Sequence, residues 1–178
     1  MPAHSVSEGV DSAVVAFVSS SCYAPPTTLP PLEPSEWEDL ASISPKGAVT
    51  RKALRDAHEI SGKLAFDYAI IQIVAQSEGL IGKPPGFSTT IQRAVGSEEH
   101  LKLILRQVDR DLVVNARVLP GFLQFIGAYL AQVDGDILQL IAWLSPIFQP
   151  VLSVASKAYL VSKVYVRVAP SYCPLKQT

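Results

Sequence analysis

The sequence predicts an all-α, single-domain helical bundle with an extended, Pro-rich N-terminal arm. Three observations lead there. Apolar residues recur at three- to four-residue spacing through most of the chain beyond residue 48, the spacing of one helical face. Cap and turn residues separate these periodic stretches. The 178 residues suffice for one buried core, and the 17% charged share, against a usual quarter or so, makes the chain apolar without making it disordered. The expected division is an arm over residues 1–34, a bundle over 35–169 and a C-terminal tail over 170–178.

In the arm, Val10 to Val18 could form a helical turn or a short strand, but "YAPPTTLPPLEP" places five prolines between Ala24 and Pro34. Proline lacks the amide hydrogen and fixes φ, so this stretch should be extended, polyproline-like and accessible to a neighbour. Pro31 and Pro34 also make a PxxP pattern, which is common in linkers. Next, "SEWEDLASI" predicts a short helix with Ser35 as N-cap and Glu38 completing a capping box, Trp37 and Leu40 facing inward.

Residues 49–76 make the strongest helical signal. Leu54, Ala57, Leu64, Tyr68, Ile71 and Ala75 form the expected inward stripe, with Lys52, Arg55, Glu59 and Lys63 on other faces. Gly79 and the loop "GKPPGF" end it. A short helix over residues 88–94 stops at Gly96, and Ser97 can cap the next, whose stripe is Leu101, Ile104, Leu105, Val108 and Leu112. Glu98 and Glu99 suit its N-terminus. Pro120 fits the first turn of a following helix with Phe122, Phe125, Ile126, Tyr129, Leu130 and Val133 on its apolar face. After the tip Asp134-Gly135-Asp136, the pattern continues to Pro146. A final helix is expected beyond Pro150, although "KVYVRV" also alternates like a strand.

Residues 118–156 raise the question of solvent. Sixteen uncharged positions precede Asp134 and twenty follow Asp136, the second run reaching the length of a membrane span. Pro146 and Pro150 would open the hydrogen-bond ladder where lipid supplies no replacement, and Gln124, Gln132, Gln139 and several serines interrupt both runs. These residues predict burial at the centre of the bundle. The alternative is a membrane-active hairpin tipped by Asp134 and Asp136, easier to insert once protonated.

Chemistry-bearing motifs are sparse. In "DAHE", Asp56 and Glu59 share a helical spacing while His58 points elsewhere, and the pairs Lys52–Asp56 and Glu59–Lys63 account for the same residues as surface ion pairs. His4 and His100 have no evident local partner. Asp109 and Asp111 cannot face each other on a helix, and "GKPPG" lacks the residues that hold phosphate. Cys22 and Cys173 form no CxxC pair, which favours a reducing, intracellular setting, and the N-terminus has no basic start typical of a signal peptide. No catalytic residue, metal ligand or cofactor is assigned. An enzyme or carrier would need an apolar small-ligand pocket near Gln124, Tyr129 and Gln139.

Charge is unevenly spread. Residues 1–45 carry six acids, Glu33, Glu36, Glu38 and Asp39 among them, and no Lys or Arg; residues 137–178 carry Lys157, Lys163, Arg167 and Lys176 and no acid. Opposite ends of opposite sign suit head-to-tail assembly. Four bases interleaved with Tyr159, Tyr165 and Tyr172 support nucleic-acid or anionic-membrane binding only weakly, and a rim of snorkelling lysines explains them as well. The expected role is therefore a non-enzymatic structural or assembly protein, coat- or filament-like among the options. It would form an oligomer with itself or with a protein partner through its arm and charged ends.

Overall fold

The computed structural model describes residues 6–26, 30–33, 48–108 and 118–168. Six helices and no strand occur among these residues, forming a single all-α bundle. They are α1 (Val6–Val18), α2 (Ala48–Glu78), α3 (Phe87–Gly96), α4 (Glu98–Val108), α5 (Val118–Gln132) and α6 (Ile137–Val168). The expected helix at "SEWEDLASI", together with Asp109, Asp111 and Leu112, lies outside the described residues.

Part of the N-terminal expectation is corrected. Val6–Val18 is a core helix and not an arm: Val10, Val14 and Val18 recur every fourth residue and are buried, each contributing about 1.5 kcal/mol or more. α1 packs along α6, where Gly9 leaves room for the Ser162 side chain; a Cβ there would lie 2.9 Å from Ser162 Oγ. The described Pro-rich residues are non-helical, as proline requires, but they lie against the bundle. Tyr23 is buried and donates to the Ile147 carbonyl at 3.0 Å. Leu32 is also buried, and the Gln132 amide brackets its two neighbours. Gln132 Nε2 donates to the Pro31 carbonyl at 3.0 Å, and the Glu33 amide donates to Gln132 Oε1 at 2.9 Å.

The α3–α4 corner follows its sequence signals. The α3 helix ends in extended backbone at Ser97, whose hydroxyl accepts from the His100 amide at 3.3 Å. His100 does have a local partner, because its Nδ1 meets the Ala94 carbonyl across the same corner. Leu101, Ile104, Leu105 and Val108 are all buried, as their spacing predicts. The loop before α3 is held by Tyr159, which donates to the Pro85 carbonyl at 3.0 Å and meets the Phe87 ring edge-on at 5.3 Å.

Two different contacts organise the centre. α2 and α5 touch nearly backbone to backbone at Gly62 and Gly127. Between α5 and α6, by contrast, lie the rings of Phe122, Phe125, Tyr129, Trp143 and Phe148, with Phe66 reaching in from α2. Helix spacing follows the side chains at the contact, so glycines draw one pair together and aromatic rings hold the other apart.

α6 runs unbroken through Pro146 and Pro150, where a break between two helices was expected. Each proline removes one amide donor, leaving the carbonyls of Ala142 and Pro146 without their helical bonds. Ala142, Pro146, Gln149 and Pro150 are exposed, so water can satisfy that side of the helix. On the opposite side, Leu140, Leu144, Ile147, Phe148, Val151, Leu152 and Ala155 are buried and stabilise the continuous form. The "KVYVRV" ambiguity resolves as helix through Val168.

The tip between α5 and α6 is a helix stop followed by a helix start. The Gly135 amide donates to the Leu130 carbonyl at 2.8 Å and the Asp134 amide to that of Ala131 at 3.2 Å, a Schellman closure with Asp134 left-handed at φ 52°. Asp136 then caps α6, its carboxylate accepting from the Leu138 and Gln139 amides at 3.0 and 3.4 Å.

Candidate interaction surface

The residues singled out in "DAHE" separate on folding. His58 is buried on the α5-facing side of α2, Asp56 is exposed, and Glu59 accepts from Gln124 Nε2 at 3.1 Å across the α2–α5 contact. Lys63 pairs with Asp67 at 2.9 Å rather than with Glu59. Among the described residues, no three His, Cys, Asp or Glu side chains gather as a metal would require.

The three side chains proposed to line a pocket spend their contacts in different places. Gln124 faces Glu59, Tyr129 packs on Trp143 with ring centroids 5.8 Å apart, and Gln139 is exposed beside Asp136, to which it donates at 3.0 Å. Of the charged residues expected to serve assembly, Glu33 and Lys157 are exposed and Lys163 lies over the Tyr159 ring at 5.7 Å, a snorkelling arrangement. Glu36, Glu38, Asp39 and Lys176 lie outside the described residues, as do His4 and Cys173. Cys22 is exposed.

The surface that stands out is the α2 stripe whose spacing predicts an inward face. On α2, Ile60 is 65% exposed, Leu64 68%, Tyr68 50% and Ile71 36%. Ala53 and Ala57 extend this stripe toward the N-terminus, both exposed, and half-buried Ala75 extends it the other way. The buried side is instead His58, Gly62, Ala65, Phe66, Ala69, Ile70, Ile73 and Val74. Gly62 explains the choice, because only a residue without a Cβ admits the α5 backbone there. α2 therefore carries two apolar faces, and among the described residues its neighbours cover one.

The outer stripe has a regular geometry. Positions 53, 57, 60, 64, 68, 71 and 75 step by 4, 3, 4, 4, 3 and 4, two 11-residue intervals in succession. Eleven residues make three turns at about 3.67 per turn, close to the helical 3.6, so the stripe stays on one face. With Leu54 beside it, it exposes on the order of 500 Å² of apolar surface, the size of the largest apolar patch on an ordinary monomer, which is often functional. Lys63 and Asp67 edge one flank; Ser61 and Gln72 lie on the other.

Among the described residues, two titratable groups are perturbed elsewhere. Burial pushes the Tyr23 phenol well above its ordinary value of 10.0. At the tip, a hydrogen bond from the Gln139 side chain, reinforced by the Gln139 and Leu138 amides, holds the Asp136 carboxyl below its usual 3.8 against a smaller opposing effect of desolvation. Ile137–Lys163 within α6 is long and apolar enough to cross a membrane by length and composition, a test that a buried core helix also passes.

Comparison of the chain with protein-family models, with curated proteins and with solved structures finds no match.

Proposed function

We propose that this chain is a non-enzymatic structural or assembly subunit that associates with other protein chains, copies of itself first, through the outer face of α2. An apolar stripe on α2 that no described element covers carries the reading: Ile60, Leu64, Tyr68 and Ile71 form one continuous face on a helix already anchored by its other side. Leaving such a face in water forgoes burial worth about 25 cal/mol per Å², which association would recover. The Pro-rich segment takes a smaller part than its composition suggests, since Tyr23, Leu32 and the Gln132 bracket commit it to its own bundle. The oppositely charged ends add salt dependence to association without defining its surface.

The membrane-hairpin alternative draws on the length of α6, but the outward side of that helix carries Gln139, Pro146, Gln149, Pro150 and Lys157. These are poor residues to set against lipid.

Light scattering coupled to size-exclusion chromatography, over a range of concentration and salt, tests the proposal. Wild type is expected to exceed monomer mass, and Leu64→Glu to restore the monomer while keeping the helical circular-dichroism signal. A monomer under every condition, or an assembly that Leu64→Glu leaves unchanged, overturns the reading.

A further inference from the structure

We infer that the occupant of the α2 stripe is the α2 stripe of a second copy, laid antiparallel about a two-fold axis at Leu64. This rests on the assembly reading above and adds the partner, the direction and the register.

The first ground is the symmetry of the pattern. Steps of 4, 3, 4, 4, 3 and 4 read the same in both directions from position 64, so reversing the helix about Leu64 superimposes the stripe on itself. Leu64 then meets its own copy, Ile60 meets Tyr68, Ala57 meets Ile71 and Ala53 meets Ala75. Small residues oppose large ones on either side of the centre, and the alanine ends let the helices converge. An isologous interface requires this self-complementarity.

The second ground is charge. In an antiparallel pair related by a two-fold axis, each flank of α2 lies beside the same flank of the copy. Lys63 then lies two residues, about 3 Å along the axis, from both Asp67 and Lys63 of the copy, and Asp67 lies the same distance from the copy's Lys63 but six residues, about 9 Å, from its Asp67, so two attractive contacts outweigh one repulsive contact. Both side chains have room to exchange their present intrachain pairing, being 64% and 37% exposed. A parallel pair would set this charged flank against Leu54, Ser61 and Gln72, where no charge answers it.

The third ground is area. Two stripes of on the order of 500 Å² bury about 1,000 Å² of apolar surface, and the flanking polar groups bring the total to the lower bound of a specific interface. The contact runs over about 33 Å of helix.

The test places single cysteines on α2 in the full chain, with Cys22 and Cys173 both replaced by serine. Under mild oxidation Leu64→Cys is expected to yield a covalent dimer. Ile60→Cys and Tyr68→Cys should each form no covalent dimer alone and cross-link when the two proteins are mixed. Like positions 60 lie eight residues, about 12 Å, apart along an antiparallel pair, beyond the reach of a disulfide. Homotypic cross-linking at 60, 64 and 68 together means a parallel pair and overturns the inference while leaving stripe-mediated assembly standing. No cross-link at any of the three positions, in a protein that light scattering shows to be larger than a monomer, overturns it in favour of another surface. A monomeric wild type removes the assembly reading itself.

Discussion

Gly62 and Gly127 meet across the α2–α5 crossing with no room for a side chain on either. A Cβ on Gly62 would collide with the Leu123 carbonyl oxygen and lie 2.9 Å from the Gly127 nitrogen, and one on Gly127 would lie 2.6 Å from the His58 carbonyl carbon. Because the obstructing atoms are backbone, a substitution must push the helices apart and disturb the packing of Phe66 and Phe122, whose rings stand 5.7 Å apart. Gly62→Ala and Gly127→Ala should therefore each cost about 1–3 kcal/mol, despite the better helix propensity of alanine. Gly121, on the same α5 helix but with open space around it, should show the opposite sign, Gly121→Ala stabilising by up to about 1 kcal/mol. Urea unfolding of the three variants measures the contrast. Equal effects at Gly121 and Gly127 would remove the close crossing from the account of the fold.

Tyr23 ties the segment after α1 to the middle of α6. Its hydroxyl donates to the Ile147 carbonyl at 3.0 Å, and its ring packs against Phe17 with centroids 5.5 Å apart. Tyr23→Phe keeps the ring and removes the donor, and should cost about 1 kcal/mol. The pH dependence has a definite sign. The folded phenol ionises above its unfolded value near 10, so its contribution is fully present below pH 10 and is lost as pH rises above it. Wild type should lose stability in alkali more steeply than Tyr23→Phe, as thermal melts between pH 9 and 11 would record.

How far these features could be read in advance depends on whether a residue signals through its neighbours in sequence or through a distant element. The α3–α4 corner and the Asp134-Gly135-Asp136 tip were legible because caps and turns are local chemistry. The face of α2 was misassigned for a physical reason. Periodicity detects an apolar stripe, but α2 has two, and burial went to the one with Gly62, Ala65 and Ala69, whose value lies in the side chain they lack. That preference depends on Gly127, sixty-five positions away, and no spacing rule within α2 contains it. The valines of α1 did repeat at helical intervals, but the five prolines downstream drew the whole N-terminus into one extended reading. At Pro146 and Pro150 the local rule for a break was outweighed by a buried face continuous on both sides of them.

The Gln132 amide holds the Pro-rich segment by two hydrogen bonds, to the Pro31 carbonyl and from the Glu33 amide. Gln132→Ala removes both at an exposed site, so the loss in global stability should be small, at most about 1 kcal/mol. The local effect should be larger. Hydrogen exchange at the Glu33 amide should accelerate, and cleavage by a protease within residues 24–34 should rise, while α5 keeps its protection. An unchanged exchange rate at Glu33 would mean that burial of Leu32 alone secures the segment.

The carboxylate of Asp136 stabilises the start of α6 only while it is ionised. The Gln139 side chain and the amides of Gln139 and Leu138 lower its folded pKa below 3.8, so the stabilisation is present above that value and disappears as pH falls through the folded one. Asp136→Asn keeps a capping oxygen but cannot ionise, and should melt near wild type at pH 7 with a flatter loss of stability between pH 4 and 2; Asp136→Ala should melt lower than both at pH 7. The same hydrogen bonds bear on an acid-triggered insertion of the tip. Between pH 7 and 5 Asp136 stays charged, so vesicle association should not rise over that range through its protonation, and Asp136→Asn should not reproduce an acid effect at neutral pH. Acid-dependent binding to anionic vesicles that Asp136→Asn makes constitutive would return the tip to the membrane and place the charge of Asp136 in control of it.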